Sequence, residues 1–178
     1  MPLYIASLNS GSNGNCYYVG NENEAVFIDA GLSCRETERR MRGLNLDMEK
    51  VKAIFISHEH SDHITGMCGI AKKWKIPVYI TPQTRANSRV PLPPEWALPF
   101  EAGQKIVIGT LQILAFEKYH DACHPHSFVV SDGSINIGVF TDLGKTCDKL
   151  EQHLSECHAA FLEANYDEAM LANGNYPY

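Results

Sequence analysis

Three imidazoles and the Asp62 carboxylate set the pattern His-x-His-x-Asp-His over the six residues His58-Glu59-His60-Ser61-Asp62-His63. The stretch before it, Val51-Lys52-Ala53-Ile54-Phe55-Ile56, is short, β-branched and nearly all apolar, which predicts a buried strand. The stretch after it, Ile64 to Trp74, predicts a helix with one apolar face. The histidines therefore lie where a strand gives way to a helix, the usual crevice for ligands in α/β proteins. Neutral imidazole nitrogen suits zinc and related divalent ions, and a neighbouring carboxylate adds charge for a second cation. His58 and His60, two apart in extended chain, point the same way and can grip one ion. Asp62 and His63 are adjacent and need a turn to aim both at a neighbouring position. A lone histidine suits a surface or a switch, and Asp62 alone would serve as a helix cap. Four ligand-type groups at one strand end favour a metal site instead.

The segment His58-x-His60-x-Asp62-His63 after a strand resembles the signature of the metallo-β-lactamase-fold hydrolases. Phe27-Ile28-Asp29-Ala30-Gly31 resembles the strand-end aspartate that precedes the motif in that superfamily, His120-Asp121-Ala122 its next histidine, and Phe140-Thr141-Asp142-Leu143-Gly144 its metal-bridging aspartate. Ser10-Gly11-Ser12-Asn13-Gly14-Asn15 and Leu162-Glu163-Ala164-Asn165-Tyr166-Asp167 look like the bacterial YycJ/WalJ group. The resemblance runs over nearly the whole chain. It implies a four-layer αββα sandwich, α/β (α+β) in class, and a two-cation site.

At 178 residues the chain is one domain by size, residues 1–178. Its net charge of −6 argues against a broad basic face for nucleic acid, although bound cations invert local electrostatics. Met1 to Ser10 lacks a basic n-region and an apolar core, and no stretch is long enough to span a bilayer, so we expect neither signal peptide nor membrane partner. Six cysteines without a Cys-x-x-Cys pair read as reduced thiols of a cytoplasmic protein. Cys123, near His120, is read as passive for want of an activating neighbour.

Leu3 to Leu8, Cys16 to Val19 and Glu24 to Asp29 predict three strands split by Gly/Asn/Ser turns. The Asn9–Asn15 loop lacks the lysine and following helix of a phosphate cradle, so it reads as a hairpin turn, which the resemblance places at the rim of the site. Ser33 with Glu36 has capping-box spacing and opens a helix through Arg42, its charged run Arg35 to Arg40 a solvated face. Ile76 to Ile80 predicts a strand, and Thr81-Pro82 opens a short helix through Arg89. Val90 to Phe100, with four prolines, reads as an irregular loop, either a lid or a connector. Strands follow at 106–108, 111–116, 127–130 and 135–140, the last two joined by a turn at Asp132-Gly133. A helix over Thr146 to Cys157, a strand over Ala159 to Glu163 and a helix from Tyr166 to Ala172 complete the pattern.

A catalytic ion needs a third protein ligand beside His58 and His60 while keeping one position open. His120 follows a strand; His124 and His126 compete for the role, and the resemblance favours His120. Those two then read as loop residues, and His153 and His158 as solvent-exposed. Asp142 ends a strand; it is either the cap of the next helix or a bridge between two cations. Several β-lactamases proper carry cysteine there, which leans away from lactam hydrolysis. Asp29 reads as a group that orients the metal loop rather than a ligand.

The expected set is thus His58, His60 and His120 on one ion, Asp62 and His63 on the second, and Asp142 between them, with Asp62 also accepting a proton from the nucleophile. No residue is assigned to substrate binding. The imidazoles favour zinc, and the carboxylates also suit manganese or iron. The expected chemistry is hydrolysis by a metal-activated hydroxide. A phosphodiester, DNA above all, is the favoured substrate; an acyl or thioester hydrolase is the alternative, and a degenerate metal-binding protein a third class. The resemblance implies one more histidine in a Gly-His-Leu-Ser-like stretch near the domain's C-terminus, and none follows His158. We therefore expect a C-terminally truncated domain, an incomplete second metal position, and an exposed edge that invites pairing with a second copy of the chain.

Overall fold

The architecture comes from a computed structural model that describes residues 2–163. Two sheets face each other. The first has six strands in the order β1 (Tyr4–Asn9), β2 (Cys16–Gly20), β3 (Ala25–Ile28), β4 (Val51–Phe55), β5 (Val78–Tyr79) and β6 (Ala97–Leu98). The second has five: β7 (Lys105–Ile108), β8 (Leu111–Glu117), β9 (His126–Ser131), β10 (Asn136–Phe140) and β11 (Ala159–Leu162), each beside the next. The hairpins β1–β2, β2–β3, β7–β8, β8–β9 and β9–β10 are antiparallel, while β3, β4, β5 and β6 run parallel, as do β10 and β11.

The side-chain alternation of the strands sorts the core into layers. Tyr17, Val19, Val26, Ile28, Ala53 and Phe55 turn toward the second sheet and meet Ile113, Ala115, Phe128, Val130 and Val139. The other face of the first sheet, with Tyr18, Phe27, Ile54 and Ile56, packs on α1 (Cys34–Gly43) and α3 (Met67–Trp74) through Met41, Met67 and Ile70. Phe116, Val129 and Phe140, on the outer face of the second sheet, meet Leu150 of α5 (Asp148–Ser155). The order is helix, sheet, sheet, helix. Each fully buried Phe or Ile here contributes about 1.5–3 kcal/mol of transfer free energy. Among the described residues no helix is long and apolar enough to cross a membrane.

Several expectations need correction. The helix expected over Ile64 to Trp74 is two: α2 (Ser61–Ile64) and α3, broken at Thr65-Gly66. A Cβ on Gly66 would lie 1.7 Å from the Leu32 carbonyl oxygen, and the Gly66 amide donates to Ala30 O at 2.8 Å. That close approach ties the loop down and stops the helix. The loop of 90–100 contains β6, which pairs with β5, and a 3₁₀ turn over Pro94–Trp96. Ser33 does accept the Glu36 amide, but the Glu36 carboxylate binds Arg39 and Arg40 instead of closing the box. Arg40 in turn donates to Leu8 O and Asn9 Oδ1, so the charged face pins β1 as well as meeting water. His126 begins β9 and is buried, and His153 packs on the Phe116 ring at 4.5 Å, because both fall on inward-facing positions. His158 Nδ1 accepts the Asn136 amide. The helix expected from Tyr166 and the edge expected beyond it lie outside the described residues.

Candidate metal centre

The C-terminal ends of β3, β4, β8 and β10 converge at one margin of the sandwich, and each delivers a polar group there. Asp29 follows β3, and its amide donates to Phe55 O at 2.8 Å, which sets it level with the end of β4. Its carboxylate, fully buried, accepts from Ser57 N (2.8 Å), Ser57 Oγ (2.8 Å) and His63 Nδ1 (2.7 Å). Since the Ser57 hydroxyl proton goes to Asp29, His58 Nδ1, 2.8 Å from Ser57 Oγ, must be the donor in that pair. With Nδ1 of both rings committed, Asp29 turns Nε2 of His58 and of His63 toward the cluster. His58 Nε2 is buried and makes no hydrogen bond.

Two ligand-type groups result. His58, His60 and His120 each offer a nitrogen within 4.8 Å of the others, and so do His58, His63 and Asp142 with a nitrogen or oxygen. The three rings of the first group form a near-equilateral triangle with centroid separations of 4.6, 4.6 and 5.0 Å. His60 Nδ1 and His120 Nε2 are 3.3 Å apart. Two imidazole nitrogens on one tetrahedral zinc, each about 2.1 Å from it, stand about 3.4 Å apart, so the donor set fits a divalent cation. Asp142 Oδ2 lies 2.8 Å from His63 Nε2 and 3.9 Å from His58 Nε2, at ion-pair distance to His63 without hydrogen-bond geometry. Asp142 is not a helix cap: α5 begins six residues later, and its φ of +49° turns the chain back into the cluster. Asp62 sits at the margin, 3.5 Å from His63 Nε2, and belongs to neither group.

The electrostatics follow from burial. Desolvation holds His58 neutral far below its ordinary range, helped by His63 and Lys118. His120 is also lowered, by burial first and then by Lys118. Burial would lower His63 too, but Asp29, Asp142 and Asp62 outweigh it and raise its pKa well above the usual value. Burial alone would raise Asp142; the His63 pairing overrides it and holds the carboxyl at about 2.

The structure adds residues that the sequence pattern did not single out. Asn15, at the end of the Asn9–Asn15 loop, is buried, and its Nδ2 reaches Asp62 Oδ2 (3.2 Å) and His63 Nε2 (2.9 Å). Lys118 is buried two residues before His120 and donates to the Thr141 carbonyl, tying the end of β8 to the residue before Asp142. It continues the outward register of Leu114 and Phe116, a signal visible in the sequence. His124 and His126 join neither group; His126 Nδ1 is bound to His124 O at 2.9 Å. Cys123 is exposed, and its amide donates to Glu59 Oε1 at 2.7 Å.

Residues 24–175 match the family model described as the beta-lactamase superfamily domain. Exodeoxyribonuclease YycJ of Bacillus anthracis is 32% identical over 100% of this chain and 69% of its own length. Exodeoxyribonuclease WalJ of Streptococcus pneumoniae is 30% identical over 95% of this chain and 65% of its own length. The chain thus spans about two thirds of the length of these relatives. Among solved structures, the metallo-beta-lactamase fold protein YhfI from Bacillus subtilis superposes with a TM-score of 0.64 at 18% identity, over 78% of this chain and 62% of that one. That likeness carries the fold, and the sequence matches carry the kinship: the chain belongs to the beta-lactamase superfamily, in the group that holds YycJ and WalJ.

Proposed function

We propose that this chain is a metal-dependent phosphodiester hydrolase, a nuclease acting on DNA. The observation that carries the reading is the pair of ligand groups that meet at His58, with three imidazoles on one side and His63 with Asp142 on the other. Two relatives that carry the name exodeoxyribonuclease support the substrate class. Divalent cations held there supply Lewis-acid character and ease the loss of a proton from water near neutral pH.

The chain's own residues do the positioning. His58, His60 and His120 would hold the first cation, zinc by the preference of imidazole ligands. His63 and Asp142 would hold the second, with Asp62 at its margin. His58 has a single lone pair to offer, because Nδ1 is committed to Ser57. The shared imidazole therefore serves the first cation, and the second position is left with fewer donors. Asp62, steadied by Asn15 and His63, stands where it can take the proton of the attacking water. Its carboxyl is pushed up by burial but held below its ordinary range by His63, so it is ionised near neutrality with its lone pairs open to a proton. Asp29 and Ser57 keep the imidazoles in the tautomers that present Nε2 to the centre.

Metal analysis paired with cleavage assays on single- and double-stranded DNA tests the proposal. We expect metal-dependent cleavage of DNA. A metal-loaded preparation that cuts neither form yet hydrolyses thioesters would replace it with the acyl-hydrolase reading.

A further inference from the structure

A cavity of about 560 Å³ opens beside His120 and lies outside the ligand cluster. That volume falls in the range that small ligands fill. Its wall includes Lys118, Tyr119, His124, Lys145, Cys147 and Lys149. On a chain of net charge −6, three of its 15 Lys and Arg residues gather on this one wall, against the carboxylates of Glu117 and Asp148. Glu117 is turned to His124, 3.4 Å away.

Two features make the cavity more than a basic dent. Tyr119 is 51% exposed although it directly precedes His120, and the Lys145 ammonium stands over its ring, 4.0 Å from the centroid. With the ammonium over one face of the ring, the other face is left for a base, and the charge stands close enough to meet its phosphate. The second feature is the start of α5. Cys147 offers no side-chain cap to the first turn, and Cys147, Asp148 and Lys149 all face the cavity, so the unsatisfied amides of the helix start add partial positive charge there. The placement is firm, since Gly144 N donates to Tyr119 O at 2.8 Å and Tyr119 bridges Lys145 across the gap between the two loops. A second cavity, about 450 Å³ and lined by Glu59, His60, Asp62 and Arg89 among others, has one cation, two carboxylates and no tyrosine, phenylalanine or tryptophan.

We infer that the cavity beside His120 seats one nucleotide of a single-stranded DNA substrate, with Tyr119 stacking on the base and Lys145 and Lys149 on the backbone phosphate. The inference rests on the nuclease reading above and names how the strand is held beside the cleaved bond.

The test is binding of a fluorescent oligothymidylate, followed by anisotropy across a salt series, with a chelator present so that no strand is cut. Tyr119→Ala should weaken binding by about tenfold, and Tyr119→Phe should restore it, because the ring and not the hydroxyl stacks on the base. The double variant Lys145→Ala/Lys149→Ala should flatten the dependence of log affinity on log salt, by about 0.7 for each phosphate that is no longer neutralised. No binding by the unaltered chain, or an affinity and salt slope unchanged in both variants, overturns the subsite. Absence of DNA cleavage by the metal-loaded chain is a separate result and counts against the nuclease reading alone.

Discussion

At the scale of single residues, Asp29 shows how one carboxylate organises a centre without belonging to it. Its φ of +62° lies in the left-handed region, which costs a non-glycine residue about 1 kcal/mol, and three accepted hydrogen bonds offset that cost. Asp142, the other aspartate at the cluster, shares the left-handed conformation. Asp29→Asn preserves size but removes the charge that draws protons onto Nδ1 of His63 and Oγ of Ser57. We expect metal affinity to fall about 10- to 100-fold, read by competition against a coloured chelator. Retention equal to the unaltered chain would remove Asp29 from the account. His58→Ala takes away the imidazole shared by both groups. It should leave no tightly held metal and no metal-dependent cleavage, with the far-ultraviolet circular dichroism of the fold kept; tight metal in that variant would mean that the centre lies elsewhere.

The elements explain why the cluster holds its shape. The turn after β3 and the metal loop lie backbone to backbone: a Cβ on Gly31 would come within 1.6 Å of the Asp62 carbonyl oxygen, and Asn15 N donates to that same oxygen at 2.6 Å. Gly31→Ala must push the two segments apart. We expect a stability loss of about 1–3 kcal/mol with weakened metal retention, measured by urea unfolding. An unchanged midpoint would show that the segments do not touch. The first residue of β9 gives a pH test. His126 is buried, and its pKa falls to about 4, by desolvation first, although the bond to His124 O pulls it the other way. Between pH about 6.5 and 4 the unfolded chain takes up this proton while the folded chain does not, so acid costs stability in that window. His126→Gln should remove on the order of 1–3 kcal/mol of the acid-side slope relative to the unaltered chain. Parallel stability curves for the two proteins across that window would refute it.

For the whole molecule, the sandwich brings together groups from its two sheets that neither sheet could assemble alone: His58, His60 and His63 from the first, His120 and Asp142 from the second. Cations shared across that seam should brace one sheet against the other, and binding to the folded state alone raises stability by mass action. Chelation should therefore lower the melting temperature by several degrees, more than it does for His58→Ala. Zinc titration followed by calorimetry should show one tight site and one weaker, because the single lone pair of His58 serves only one of them. Two equivalent tight sites would refute that division.

The ligand types and their strand-end placement were legible in the chain itself, because the apolar run Val51 to Ile56 can only be a buried strand and the polar run after it can only sit at its mouth. The short apolar runs likewise announced most strands, while the four-layer order was implied by the family resemblance. Other matters were invisible at that level. Nothing in the spacing of Asn15 says that it ends up buried against the cluster, since it arrives there from a loop far away in sequence. The break at Gly66 arises from the Leu32 carbonyl, a steric fact of the assembled turn rather than of local propensity. Asp62 and His63 were read as a pair, and packing split their roles by turning His63 into the interior and leaving its neighbour at the margin. Local sequence determined which groups could bind a cation, because that depends on atom type and element period. Only the tertiary fold decided which of them face one another, because that depends on how two sheets are stacked.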